Sequence, residues 1–311
     1  MFEFPEGLRI PLAGWVDRVM DWILTNLGGV FDWIGDVGLQ ALISVERTLS
    51  FLPWFVWVLA VGLLAWRMIG SWKYGLGMAV MLTLVGTFGY WSEAMTTLSV
   101  VIVSVAIAIA FGIPIGILMA WSQTLKRVLT PILDAMQTMP SFVYLIPALM
   151  LFGLGRVPAT FATLIYAIPP VIRLTDVGIR EVPGDTIEAA RAFGANRWNL
   201  LFDVQLPLAR PSIMVGINQT TMMALAMVVI GSMIGNRGLG MEVLLAINRV
   251  DIGKGFEAGL AIVFLAIVID RITNSFARTR PAPMAPAGRE QPTDESEETD
   301  EEPEEPTRAR A

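Results

Sequence analysis

The chain has no cysteine and no histidine among its 311 residues. That removes disulfides, thiol nucleophiles, imidazole acid–base catalysis and most transition-metal sites from consideration. Serine or carboxylate chemistry stays formally open. Charge is also scarce: 16% of residues are charged, against about a quarter in soluble domains. No basic stretch followed by an apolar run opens the chain, since Met1–Pro11 carries Glu3 and Glu6. A cleavable signal peptide is therefore not expected, and the first true span would serve as the insertion signal. No Gly-x-x-x-x-Gly-Lys-[Ser/Thr] phosphate loop occurs anywhere in the sequence.

What is abundant is apolar surface, at 54% of residues. Several runs reach the roughly 20 apolar residues that a helix needs to cross a bilayer. The fold class this implies is an all-α polytopic membrane protein. The net charge of −6 is misleading as a description of the body. Residues 281–311 hold ten acids and three arginines, which leaves the remainder nearly neutral. That Pro-, Glu- and Thr-rich tail, 276–311 with its approach, cannot bury enough surface to fold and reads as a disordered acidic tail.

Residues 1–50 are interrupted by acids. Val16, Val19, Ile23, Leu27, Val30 and Ile34 recur at helical spacing, while Asp17, Asp21, Asp32 and Asp36 lie off that stripe. Trp15, Trp22 and Trp33 favour an interface. The segment reads as one or two amphipathic helices divided at Gly28-Gly29, lying on the membrane surface or packed on the bundle. Seven spans follow within 51–275, at about 53–70, 75–92, 95–121, 141–155, 158–179, 211–234 and 256–275. Pro114 and the pair Pro169-Pro170 are expected to kink the spans that hold them. Gly112 and Gly116 form a small-xxx-small pair suited to close helix approach. Lys and Arg near the span ends fall eleven to seven in favour of an amino terminus outside and a cytoplasmic carboxyl terminus.

Between the fifth and sixth spans lies the segment 181–207, too short for a domain. Asp185 and Glu188, three apart after Pro183-Gly184, spell a capping box. Ala189, Ala190 and Ala192 give a small-sided helix, Gly194 a left-handed stop, and Asn196 a cap for a second helix. That second helix shows Trp198, Leu201 and Phe202 and would be closed by Pro207. Apolar and aromatic groups exposed on such a knob call for a partner surface or for lipid.

The pattern Glu188-Ala189-Ala190, three residues, Gly194, nine residues, Val204, one residue, Leu206-Pro207 resembles the signature of ABC-importer permeases, with Val204 where Ile is usual. Gln137-Thr-Met-Pro-Ser-Phe-Val-Tyr-Leu-Ile-Pro147, Ile168-Pro-Pro-Val-Ile-Arg-Leu-Thr175, Gly216-Ile-Asn-Gln-Thr-Thr-Met-Met-Ala-Leu-Ala-Met-Val-Val-Ile230 and Gly238-Leu-Gly240 look like the glycine betaine/proline betaine members. The resemblance covers about residues 12–275 and implies a type I importer permease fold. It also implies a second copy of this chain, a pair of ATPase subunits holding ATP and Mg, and a separate substrate-binding protein, with no cofactor or metal in this chain and no nucleic acid. Segment 181–207 would then be the ATPase-coupling loop. Asn218, Gln219, Thr221 and Met223 are candidates for the cargo path, or for interhelical bonding and packing. Arg173 and Asp176, three apart, are expected to pair on one helix face. Arg237, Arg249 and Lys254 in the outer loop would dock an acidic binding protein, or simply translocate as late loops do. The cargo is read as a betaine, with choline, carnitine or an amino acid as alternatives. An intramembrane enzyme or a sensor that moves nothing are the rivals from other classes.

Overall fold

The computed structural model describes residues 12–277. The readings of Met1–Pro11 and of the acidic tail beyond Ala277 fall outside the described residues. Among those described, the chain is helical with no strand. The elements in order are α1 (Leu12–Phe51), α2 (Trp54–Ile69), α3 (Trp72–Thr87), α4 (Trp91–Trp121), α5 (Gln123–Thr138), α6 (Leu145–Phe152) and α7 (Arg156–Ala167). They continue with α8 (Pro169–Arg180), α9 (Gly184–Ala192), α10 (Arg197–Asn199), α11 (Leu206–Gly231), α12 (Leu239–Arg249) and α13 (Ile252–Ala277).

Four helical stretches are long and apolar enough to cross a membrane: Trp91–Trp121, Arg156–Arg180, Arg197–Ile234 and Ile252–Ser275. Two bent pairs, α1 with α2 at 90° and α5 with the 141–152 segment at 108°, would bring the number to six. The expected second span is the 16-residue α3. The expected fourth is a short 3-10 turn at Ser141–Tyr144 followed by the eight-residue α6. Both bends fall at prolines. Pro53 and Pro140 stand at the N-caps of the elements that follow them, and a proline drives the residue before it out of the helical region.

Small residues set the centre of the bundle. A Cβ on Gly112 would lie 2.4 Å from Val171 Cγ1, and one on Gly116 2.7 Å from the Ile172 carbonyl oxygen. Gly116 thus brings α4 onto the α8 backbone, and Gly112 makes room for the Val171 side chain. Gly178 and Gly216 do the same for α8 against α11, with Cβ positions 2.8 Å from Ser212 Cβ and 3.1 Å from Val171 Cα. So α8 is held between α4 and α11 by four glycines, in the manner of membrane helices that associate through close packing. Pro114 lies inside the unbroken α4, while Pro169 and Pro170 open α8 after Ile168.

The two ends of this core are distinct. At one end α4, α7, α11 and α12 meet: Gly155 N–H donates to the Ile234 carbonyl at 2.9 Å, and Leu239 N–H to Thr97 Oγ1 at 2.9 Å. Arg156 there donates to Glu46 of α1 at 2.6 Å and to Ser99 at 3.0 Å, and Thr96 donates to the other Glu46 oxygen at 2.7 Å. At the opposite end the last turns of α4 and α8 meet α5 and the 181–207 segment.

One expectation fails in α1. It runs 40 residues without a break at Gly28-Gly29. Two glycines cost about 2 kcal/mol of helix propensity, yet neither a cap nor a proline follows them to offer the chain another course. The early turns of α1 leave Trp15, Trp22 and Trp33 exposed. Its later turns pack on the bundle, with Gly35 and Gly38 against Phe152 and Phe161, and with Leu42 fully buried.

Candidate coupling loop

The connection from α8 to α11 is anchored at its root and bare at its tip. Val182, Leu200 and Leu201 are buried, the last beside Ile179, Ala209 and Ile213. No residue of α9 or α10 is buried. Glu188 and Ala189 face outward, Ala190 is half-buried, and Phe193 is 94% exposed. Val204 and Leu206 are half-buried at the start of the next helix and Pro207 is exposed.

Backbone geometry follows from three local residues. Pro183 occupies the N-cap of α9 without a side-chain bond. The capping box expected of Asp185 and Glu188 is therefore not formed: helix begins one residue before Asp185, which instead sits in the first turn. A carboxylate there still favours the helix dipole. At the other end Gly194 has φ +86°. Its N–H donates to Arg191 O at 2.9 Å, and Ala195 N–H donates to Ala190 O at 3.0 Å. This is the paired closure that satisfies the last carbonyls of a helix when a left-handed residue follows it. Asn196 Oδ1 then accepts from Trp198 N–H at 2.9 Å and Asn199 N–H at 2.8 Å, capping α10.

Pro207 does not close the second helix. From α10 the chain passes through a π-helical stretch at Leu200–Gln205 directly into α11, with Pro207 in the first turn and Pro211 inside it. The wider register just before Pro207 accommodates the donor this proline lacks without ending the helix. Trp198 lies edge-on to Trp121 at 5.5 Å and stacks on Phe202 at 6.0 Å.

Beneath the knob is an ionic cluster that spacing did not reveal. Asp176 accepts from Lys126 Nζ at 2.7 Å and from Arg180 Nε at 2.6 Å, and Arg180 also reaches the Met119 carbonyl at 2.6 Å. Arg173 turns away from Asp176 and pairs with Asp134 of α5. The expected Arg173–Asp176 pair is thus replaced by two pairs to α5. Arg180 lies four positions after Asp176, a readable helical spacing, but Lys126 is fifty positions away.

The path candidates all lie in α11 and make contacts of different kinds. Asn218 Nδ2 donates to Asp270 of α13 at 3.0 Å, and Asn274 donates to the same oxygen at 2.7 Å. Thr221 bonds its own helix at Ile217 O. Gln219 is exposed, Met223 packs beside Val101 and Leu225, and the neighbouring Met227 is fully buried.

Residues 112–279 match the model of the family described as binding-protein-dependent transport system inner membrane component. The chain belongs to that permease family. It is 45% identical over 271 residues to the glycine betaine/proline betaine transport system permease protein ProW of Escherichia coli, covering 86% of this chain and 76% of that one. It is 47% identical over 268 residues to the glycine betaine transport system permease protein OpuAB of Bacillus subtilis, covering 86% and 94%. A glycine betaine/carnitine permease, GbuB of Listeria monocytogenes, is 44% identical over 276 residues, covering 88% and 97%. Among solved structures, a MetNI methionine ABC transporter in an inward-facing conformation matches with TM-score 0.55 at 23% identity, over 59% of this chain and 93% of its own. That likeness concerns the fold, which is that of a type I ABC importer permease. The protein is thus a membrane-embedded transport permease.

Proposed function

We propose that this permease conducts glycine betaine, proline betaine or a closely related quaternary amine into the cell. In this reading the energy comes from a pair of ATPase subunits that bind ATP and Mg, and the cargo from a separate binding protein. Two copies of the chain enclose the path. The amino terminus faces outside, the 181–207 knob and the carboxyl terminus face the cytoplasm, and the early turns of α1 lie on lipid. The observation that carries the coupling role is the knob: a capped helix–turn–helix with no buried residue in α9 or α10, on a root tied to α4 and α5. Glu188, Ala189, Ala190 and Gly194 would seat in a groove of the ATPase, and Val204, Leu206 and Pro207 would join the seat to α11. ATP-driven closure of the ATPases would move both knobs together and rock the spans between inward- and outward-facing states.

The betaine assignment rests on relatives whose names carry that cargo. One relative transports carnitine as well, which keeps carnitine as the second reading. The test is uptake of labelled glycine betaine by vesicles holding the assembled complex, with proline betaine, carnitine and choline as competitors. Uptake that needs ATP inside the vesicle, and that proline betaine suppresses most, is expected. ATP-dependent uptake of carnitine with no competition from glycine betaine would move the cargo to the second reading.

A further inference from the structure

The knob touches the rest of the chain in two places that converge on one element. On its entry side, Arg180, the last residue of α8, donates to the Met119 carbonyl at 2.6 Å. On its exit side, Trp198 of α10 packs edge-on against Trp121 at 5.5 Å. Met119 and Trp121 are in the last turn of α4, where carbonyls lack partners within the helix. A guanidinium and an indole, from the two arms of one loop, therefore hold the same helix end.

The entry contact is locked from behind. Asp176 has 3% of its side chain exposed and meets two cations, Lys126 from α5 and Arg180 from its own helix. A nearly buried carboxylate with two charge-assisted partners keeps its geometry, because releasing either partner leaves charge poorly compensated. One turn deeper, Gly116 of α4 has no room for a Cβ beside Thr175 and Ile172 of α8. Sliding of α8 along α4 is thereby opposed by backbone contact as well as by charge.

Resting on the coupling reading above, we infer that the Asp176–Lys126–Arg180 cluster, with Trp198 on Trp121, is a transmission clamp. It passes displacement of the knob to α4 and α5 as one body, rather than to α8 and α11 alone. Asp176, Lys126, Arg180 and Trp198 are positioning residues. They touch neither nucleotide nor cargo, and their work is to keep the seat of the ATPase and the end of α4 in fixed relation. Without the clamp the ATPases would still seat and hydrolyse, but the knob would move on a loose root and α4 would lag.

The readout is the number of ATP molecules hydrolysed per cargo molecule imported, measured in vesicles with the full complex. Asp176→Asn is expected to leave hydrolysis within about twofold of the parent and to raise that ratio about tenfold, the range of an ordinary coupling energy between sites. Asp176→Glu should restore much of it. Trp198→Leu leaves the buried charges intact and so guards against misfolding; it should raise the ratio by about threefold, a smaller coupling of the same kind. If hydrolysis and uptake fall in step with an unchanged ratio in both variants, the cluster only holds the fold and the clamp is refuted. A coupled parent whose two variants are equally coupled refutes it too. A parent complex that hydrolyses ATP without importing cargo contradicts the transport reading itself, and the clamp with it.

Discussion

Replacing Gly194 with valine is expected to disconnect ATP hydrolysis from uptake while the chain remains in the membrane. A Cβ at this position would meet nothing within 4 Å, so space is not the constraint. The constraint is φ +86°, a region that costs a residue with a Cβ about 1–2 kcal/mol, and a β-branched one more. Valine would pull the backbone toward negative φ. That would break the bonds from Gly194 and Ala195 to Arg191 and Ala190 and turn α10 away from α9. The root of the knob, built from Leu201, Ile179 and Ala209, would stay folded. Uptake should fall about tenfold or more, since the strain and the lost closure together exceed 1.4 kcal/mol. Asparagine tolerates the left-handed region and should retain most of the activity. Uptake and hydrolysis measured on the same vesicles check this. A valine variant that imports at the parent's rate would show that the turn at Gly194 does not set the coupling geometry.

The second large effect is expected in the core. Leucine at Gly116 would place its Cβ 2.6 Å from Thr175 Cβ and 2.7 Å from the Ile172 carbonyl oxygen. The second of these is backbone in the middle of α8 and cannot rotate aside. Overpacking of a tight contact costs about 1–3 kcal/mol where side chains can move, and here α4 and α8 would have to separate. The variant should lose its thermal transition in detergent, or melt many degrees below the parent. Gly77→Leu is the control, since a Cβ there meets nothing within 4 Å. Equal melting temperatures for the two variants would mean that α4 and α8 do not pack through their glycines.

These two positions also mark how far the sequence could be read. Gly194 and Asn196 act on their own helix or on its nearest turn, and the i, i+4 spacing of Gly112 and Gly116 marks a face for close approach without naming the helix that takes it. Features that need a distant partner were hidden. Nothing near Asp176 points to Lys126, and Arg173 finds Asp134 rather than its close neighbour. Two prolines depart from their sequence patterns in opposite directions. Pro183 takes the cap from Asp185, a competition that a capping-box pattern does not register. Pro207 was expected to end a helix, but a π-helical stretch before it lets the helix continue. Asn218 is a polar group in an apolar span, and it faces another helix through Asp270. A single helix shows which residues are polar at depth, but only the neighbouring helix shows what they meet.

Because the chain has no native cysteine, one introduced thiol reports from one place. Phe193→Cys puts that thiol at the tip of the knob, where the side chain is 94% exposed. Arg249→Cys puts it at the end of α12, on the opposite side of the bundle. In membrane vesicles of known sidedness, the thiol at 193 should react with an impermeant maleimide only from the cytoplasmic face. It should be shielded, and crosslink to the ATPase, once that subunit is bound. The thiol at 249 should react from outside whether or not the ATPase is present. Labelling of position 193 from outside, or labelling that bound ATPase leaves unchanged, would contradict the assignment of the α9–α10 knob as the seat of the motor.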